Sequence, residues 1–218
     1  MDTNRFKIIY PNDLPDYRRQ AGQIAEVSWP EFMLHDPIAD EYWHELFDRF
    51  SDYQFALLDT ENNRMAAMGN SLPFCWDQPL EELPEGGWDW VFVKAVEDHK
   101  NGITPNIQSA IQINIHPDYQ SQGLSGKMVA TMRAIGKSKG FRHLVAPVRP
   151  NQKSKYPLTS IDDYIQWTND DGLPFDAWLR SPCPCGGEDH QVLSRVHDHS
   201  RHTCRLGRLD WFEVPTKR

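Results

Sequence analysis

Residues 113–128 read INIHPDYQSQGLSGKM. An apolar run with alternating polar residues meets a proline. A glycine-punctuated turn follows, and then a pattern with helical spacing. Upstream, residues 106–117 (NIQSAIQINIHP) form the clearest strand signal in the chain, with a period of two. Ile107, Ser109, Ile111, Ile113 and Ile115 are expected on one face, and Gln108, Ala110, Gln112 and Asn114 on the other. Downstream, Leu124, Met128, Met132 and Ile135 make one apolar helical stripe. Lys137 and Lys139 suit the negative end of that helix, and Gly140 can close it.

The turn between strand and helix decides the chemistry. A Walker phosphate loop needs Gly, four residues, then Gly-Lys-Ser/Thr. Here Gly126-Lys127 precedes Met128 and position 121 is Ser, so no hydroxyl is placed for magnesium. The G-x-G-x-x-G dinucleotide fingerprint also fails, since Gln122-Gly123-Leu124-Ser125 has one glycine where two are needed. A third use remains. The first N–H groups of a helix lack internal partners and carry partial positive charge, so they hold a pyrophosphate. Gly123 admits a phosphate without a Cβ in the way. Ser125 is small and offers a hydroxyl, and Gly126 keeps the next position open.

Gln120-Ser121-Gln122-Gly123-Leu124-Ser125, placed between strand and helix, resembles the Q/R-x-x-G-x-G/A motif of the GNAT superfamily of N-acetyltransferases. Ser125 stands for the last small residue. The element order resembles that family from about residue 5 to 170. The resemblance implies an α/β fold with a mixed, mostly antiparallel central sheet flanked by helices. It implies that the anion is the pyrophosphate of acetyl-CoA or another acyl-CoA, held by residues 120–126. It also implies that the pantetheine arm pairs with the backbone of Ile113, Asn114 and Ile115, where this strand splays from the next one, HLVAPV (143–148). The implied activity is direct acyl transfer to a small-molecule or peptide amine. An inactive coenzyme-binding or interaction protein of the same fold is the alternative.

In that family a tyrosine a few residues after an asparagine often protonates the leaving thiolate. Asn151 and Tyr156 are the corresponding residues here, with Asn151 also near the coenzyme and Tyr164 further on. Many relatives keep a glutamate base on the strand. This strand has none: Gln112 and Asn114 can only position water. His116 before Pro117 titrates near neutrality in its free form, although packing against the turn is its simpler role. Lys153 and Lys155 are within sequence reach of an outer phosphate.

Around this centre the chain reads as further elements. Phe6 to Tyr10 is a strand. Asp13 suits a helix N-cap ahead of Pro15, with Tyr17, Ala21, Ile24 and Ala25 on the apolar face. A second helix is expected over 40–50. Residues 53–59 and 65–76 make a hairpin around ENNR (61–64), with Pro73 marking a bend or an edge. An inserted helix around 86–100, with Trp88, Val91, Phe92, Ala95 and Val96, either caps the core or walls an acceptor pocket.

Eight tryptophans and ten phenylalanines in 218 residues foretell heavy aromatic burial, and a 39% apolar composition supplies a sizeable core. A net charge of −8 argues against nucleic acid as a partner. The start MDTNRFKIIYPNDLP has no long apolar run, so neither export nor a membrane anchor is expected and a cytoplasmic location is; an oligomer is possible. Residues 1–180 are expected to be the acyl-CoA-binding domain.

Residues 181–218 differ in composition. They hold Cys183, Cys185 and Cys204, with His190, His197, His199 and His202. Their spacing fits no zinc pattern, so no metal is expected. With permitted codons moved one nucleotide forward, HDHSRHTCRLGRLDW (197–211) can yield the apolar-patterned MTIPGTLADWEDWT. The tail is therefore expected to be shifted in frame or poorly ordered.

Overall fold

The computed structural model describes residues 5–29, 34–148 and 150–180, together with the backbone of Val192–Leu193 and Asp210–Glu213. The strands are β1 Phe6–Ile9, β2 Phe55–Asp59, β3 Arg64–Phe74, β4 Ile107–Ile115, β5 Leu144–Val148, β6 Val192–Leu193 and β7 Asp210–Glu213. They form one sheet in the order β1-β2-β3-β4-β5-β7-β6. Every pairing is antiparallel except β4 with β5. The helices are α1 Tyr17–Ser28, α2 Pro37–Tyr42, α3 Glu45–Asp48, α4 Gly87–Lys100, α5 Leu124–Ser138, α6 Ile161–Ile165 and α7 Ala177–Arg180.

The two faces of the sheet are covered differently. One face carries α5, whose Met128, Met132 and Ile135 pack on Phe55, Leu57, Ala67 and Leu144. Met132 is fully buried, so its truncation to Ala would cost about 2–5 kcal/mol. The other face carries α1 through Tyr17, Ala21 and Ile24. It also carries α4 through Val91, Phe92, Ala95 and Val96, packed on Leu72, Phe74, Ile107 and Ile111. Hydrophobic stripes at helical spacing on both sides of a sheet force this layering.

Three local expectations need correction. Asp13 does not cap α1: it closes a short 3₁₀ turn by accepting from Tyr10 N at 2.9 Å, and the helix begins at Tyr17. The helix expected over 40–50 is two helices. The first starts earlier, at Pro37, because Asp36 accepts from the amides of Ile38 and Ala39 at 2.9 and 3.0 Å. The third correction concerns β4. Asn70 pairs with Gln112 but Ser71 pairs with Ala110, so Ile111 is an extra residue, a β-bulge. The alternation slips there. Ile107 and Ile111 join the α4 side, whereas Ile113 and Ile115 pack on the α5 side. At Pro73, β2 has already ended opposite Gly69, so β3 has a partner on the β4 side only, as expected near an edge.

The tail expectation falls outside the described residues, apart from two short backbone stretches. Asp210–Glu213 pairs with β5 and with Val192–Leu193.

Candidate active site

β4 and β5 pair only at Gln108 with Leu144 and at Ser109 with Val145. Beyond Ser109 they part, and among the described residues β4 runs on for six residues with β3 on one side alone. His116 N donates to Ala66 O of β3 at 2.9 Å. Peptide groups alternate along a strand, so those of Gln112 and Asn114 also turn to β3 and those of Ile113 and Ile115 turn to the open edge. The predicted edge thus narrows to Ile113 and Ile115. Asn114 contributes a side chain on the face away from α5.

The open edge leads into the start of α5. Ser121 and Gly123 have left-handed backbones, with φ of 61° and 70°. Ser121 pays for that conformation with strain, whereas Gly123 has no Cβ to resist it. A left-handed residue followed by helical ones turns successive N–H groups into one concavity. No side chain caps this end of α5. Among the described residues the amides of 122–126 donate to no backbone acceptor. These are the features that a bound anion requires.

The other predicted coenzyme residues sit as follows. Leu124 is buried and anchors the helix start, so it contributes its amide only. Ser125 and Gly126 are half-buried in the first turn. The exposed Gln120 turns back toward Ile115 O at 3.4 Å, and Gln122 toward Asp118 O at 3.3 Å. Lys127 reaches away from the concavity, to Phe6 O at 2.8 Å.

A network missed at the sequence level holds this turn. Tyr119 is buried and donates to Asp59 at 3.0 Å, and Asn62 donates to the Tyr119 hydroxyl at 2.9 Å. Asp59 also accepts from Arg5 at 2.7 and 3.1 Å. The Arg5 hydrogen bonds hold its carboxyl well below the ordinary value of 3.8, against the opposing effect of burial. Residues 59 and 119 are far apart in sequence, and no local spacing signals their pairing.

Asn151 and Tyr156 lie in a separate cluster. Tyr156 packs edge-on against Trp167 and Phe175, with centroids at 4.9 and 5.9 Å, and tilted on Tyr164 at 5.7 Å. Its hydroxyl has no hydrogen bond among the described residues. The side chain of Asn151 is exposed; its amide donates to Asp176 at 3.2 Å. Asp176, 1% exposed, also accepts from the amides of Gln152 and Trp178 and from the Tyr164 hydroxyl at 2.8 Å. Burial, reinforced by Asp176, pushes the Tyr164 hydroxyl above its ordinary value of 10.0. Lys153 and Lys155 are tied back to Tyr156 O and Gln152. His116 accepts from Asp118 N at 3.2 Å. Among the described residues, no group of three or more His, Cys, Asp or Glu could hold a metal, and no helix is long and apolar enough to cross a membrane.

The fold has counterparts among known proteins. The loading GNATL domain of CurA from Lyngbya majuscula superposes with a TM-score of 0.66 over 87% of this chain and 86% of its own, at 20% identity. The chain has the fold of the GNAT superfamily. A second solved structure, the GphF GNAT-like decarboxylase in complex with isobutyryl-CoA, superposes with a TM-score of 0.55 over 81% of this chain and 83% of its own, at 13% identity. In sequence, the arginine N-acetyltransferase avaD of Aspergillus versicolor is 33% identical over 189 residues, 80% of this chain. The match spans 64% of that relative's length. No protein-family profile matches the chain. On the GNAT fold, the splay of β4 from β5 and the bare start of α5 are neighbours by construction, since only residues 116–123 separate them.

Proposed function

We propose that the chain binds an acyl-CoA and transfers its acyl group to an amine. The observation that carries this reading is the open edge at Ile113 and Ile115 running into the uncapped N–H groups of α5. Acyl-CoA, when bound, supplies the thioester that an amine attacks. The amides of 122–126 hold the pyrophosphate, with Gly123 giving it room. The peptide groups of Ile113 and Ile115 pair with the pantetheine arm, and the Ile115 amide donates to the charge that develops on the carbonyl oxygen. Tyr156, whose hydroxyl has no hydrogen bond among the described residues, is the proposed proton donor to the leaving thiolate, and Asn151 is a proposed coenzyme contact. No carboxylate lies on β4 to take the amine's proton, so water held at the strand's amides is proposed for that task. We place the activity in the cytoplasm, with a small-molecule or peptide amine as acceptor. Arginine, from the relative's name, is the first to try.

A thermal-shift series with acetyl-CoA and longer acyl-CoAs tests the binding. A ligand at 100 times its Kd adds about 2.7 kcal/mol, and about 5–10 °C to the Tm of a chain this long. Gly123→Asn and Gly123→Asp have nearly the same shape, and both side chains tolerate the left-handed backbone. The Asn variant should keep part of the shift and the Asp variant should lose it. No shift in the wild type, or equal shifts in both variants, would overturn the site.

The missing carboxylate favours one second reading, a coenzyme-binding protein without turnover. Release of CoA with a panel of amines decides between the two.

A further inference from the structure

Three amide side chains near the open edge of β4 are buried without their full set of partners. Asn70, Gln112 and Asn114 are 1%, 6% and 8% exposed. Gln112 Nε2 and Oε1, Asn114 Nδ2 and Asn70 Oδ1 have no hydrogen-bond partner among the described residues. A buried polar atom left unpaired costs about 1–3 kcal/mol, and apolar residues here would avoid that cost. The neighbouring Gln54 shows the usual outcome: its Nε2 donates to Phe50 O and Ser71 O, and its Oε1 accepts from Asn70 and from Ser71 N.

These atoms share one face. Asn70 is in register with Gln112, and Gln112 and Asn114 flank Ile113, whose peptide turns to the open edge. The orientation of Asn114 is fixed, because the Trp29 indole, a donor only, gives its N–H to Asn114 Oδ1 at 3.1 Å. The Asn114 NH₂ group therefore has no partner among the described residues. Trp29 packs on Trp43, and Trp43 stacks on Trp88, with centroids at 5.8 and 6.4 Å. Trp88 in turn donates to the bulge carbonyl of Ile111 at 3.2 Å.

We infer that this amide wall selects acceptors whose reacting amine has a carbonyl or carboxylate oxygen beside it. The inference rests on the acyl-transfer reading above. The wall offers two N–H donors, from Gln112 and Asn114, and two amide oxygens, from Asn70 and Gln112, and carries no net charge. An amino-acid or amino-amide head, with oxygen next to nitrogen, can meet both kinds. A bare alkylamine leaves both donors unpaired. Sites built to hydrogen-bond a group reject analogues lacking it far more strongly than sites that only pack against it.

The test uses the full chain loaded with CoA itself, so that binding is read without turnover. Three side chains, those of arginine, leucine and tyrosine, are each titrated calorimetrically as the amino acid, the amino amide and the decarboxylated amine. For at least one side chain the oxygen-bearing forms should bind tenfold or more tighter than the bare amine. The ratio of acid to amide separates a carboxylate source from a carbonyl. Asn114→Asp keeps an oxygen for Trp29 and replaces the free donor with an acceptor. It should weaken the acid form at least tenfold more than the bare amine, while CoA affinity, read in the same instrument, reports on the coenzyme site. Equal binding of all three forms, no binding of any, or indifference to Asn114→Asp, as when only ordered water fills the wall, would overturn the inference. Loss of CoA binding by the wild type is a separate readout; it would overturn the acyl-CoA reading and this inference with it.

Discussion

Gly136 on α5 lies so close to Gln108 on β4 that a Cβ on it would stand 2.1 Å from Gln108 Oε1. Gln108 is fully buried and its Nε2 is committed to Ser71 Oγ at 2.7 Å. Gly136→Ala gains helix propensity of about 1 kcal/mol but forces Gln108 off that bond. A net loss of about 1–3 kcal/mol is expected, read as a lower denaturation midpoint at unchanged slope. An unchanged midpoint would mean that Gln108 yields freely.

Asp59 makes the fold sensitive to acid. Its folded pKa is depressed, chiefly by the Arg5 hydrogen bonds, so its contribution is fully present above the ordinary value of 3.8. That contribution is lost as pH falls from there toward the folded value. Asp59→Asn should cost about 2 kcal/mol at pH 7, since Arg5 is partly exposed and keeps some hydration. Thermal unfolding from pH 7 down to 2 should show a shallower acid limb in the variant. Parallel wild-type and variant curves would contradict this role.

Asp176 and Tyr164 predict unequal effects from the two ends of one bond. Tyr164→Phe removes one hydrogen bond and should cost about 1 kcal/mol. Asp176→Ala strands the amides of 151, 152 and 178 as well, and about 3 kcal/mol is expected. Because the hydroxyl's pKa is raised, the bond should persist through pH 10 rather than break there. Hydrogen exchange at residues 151, 152 and 178 is the direct measure. Equal effects of the two substitutions would count against a shared anchor.

Trp88→Phe keeps the packing against Phe92, whose ring centroid is 4.9 Å away, but strips the Ile111 carbonyl of its donor. A cost of about 1–2 kcal/mol is expected. Exchange of amides in β4 beyond Ile111 should rise more than in β3, and a uniform rise would remove the bulge from the explanation.

Local chemistry was the legible part. The period-two run before Pro117, the lone Gly123 and the stripe from Leu124 to Ile135 sufficed for strand, turn and helix, because each rests on neighbours in sequence. Asp36-Pro37 is a readable helix start, but the aromatic spacing after it is the louder signal and points to a later one. The bulge was not readable: isoleucines at 107, 111, 113 and 115 look regular, and only the pairing with Asn70 and Ser71 exposes the extra residue. Nor were Asp59 and Asp176, whose roles come from partners brought together by the sheet and by the segment after β5. The amide wall hid for the same reason, since Asn70 belongs to another strand.

Ile111 has an effect larger than its own contacts. By inserting one peptide unit it sets the phase of everything after it on β4. Were the same residues to run on in strict alternation without the bulge, Gln112 and Asn114 would be rotated into the greasy layer under α5, while Ile113 and Ile115 would face the tryptophans. Excising Ile111 itself would leave Ala110 opposite Ser71 and Gln112 opposite Asn70, with both faces kept, so the irregularity is what reconciles an unbroken run of isoleucines with amides on the tryptophan side.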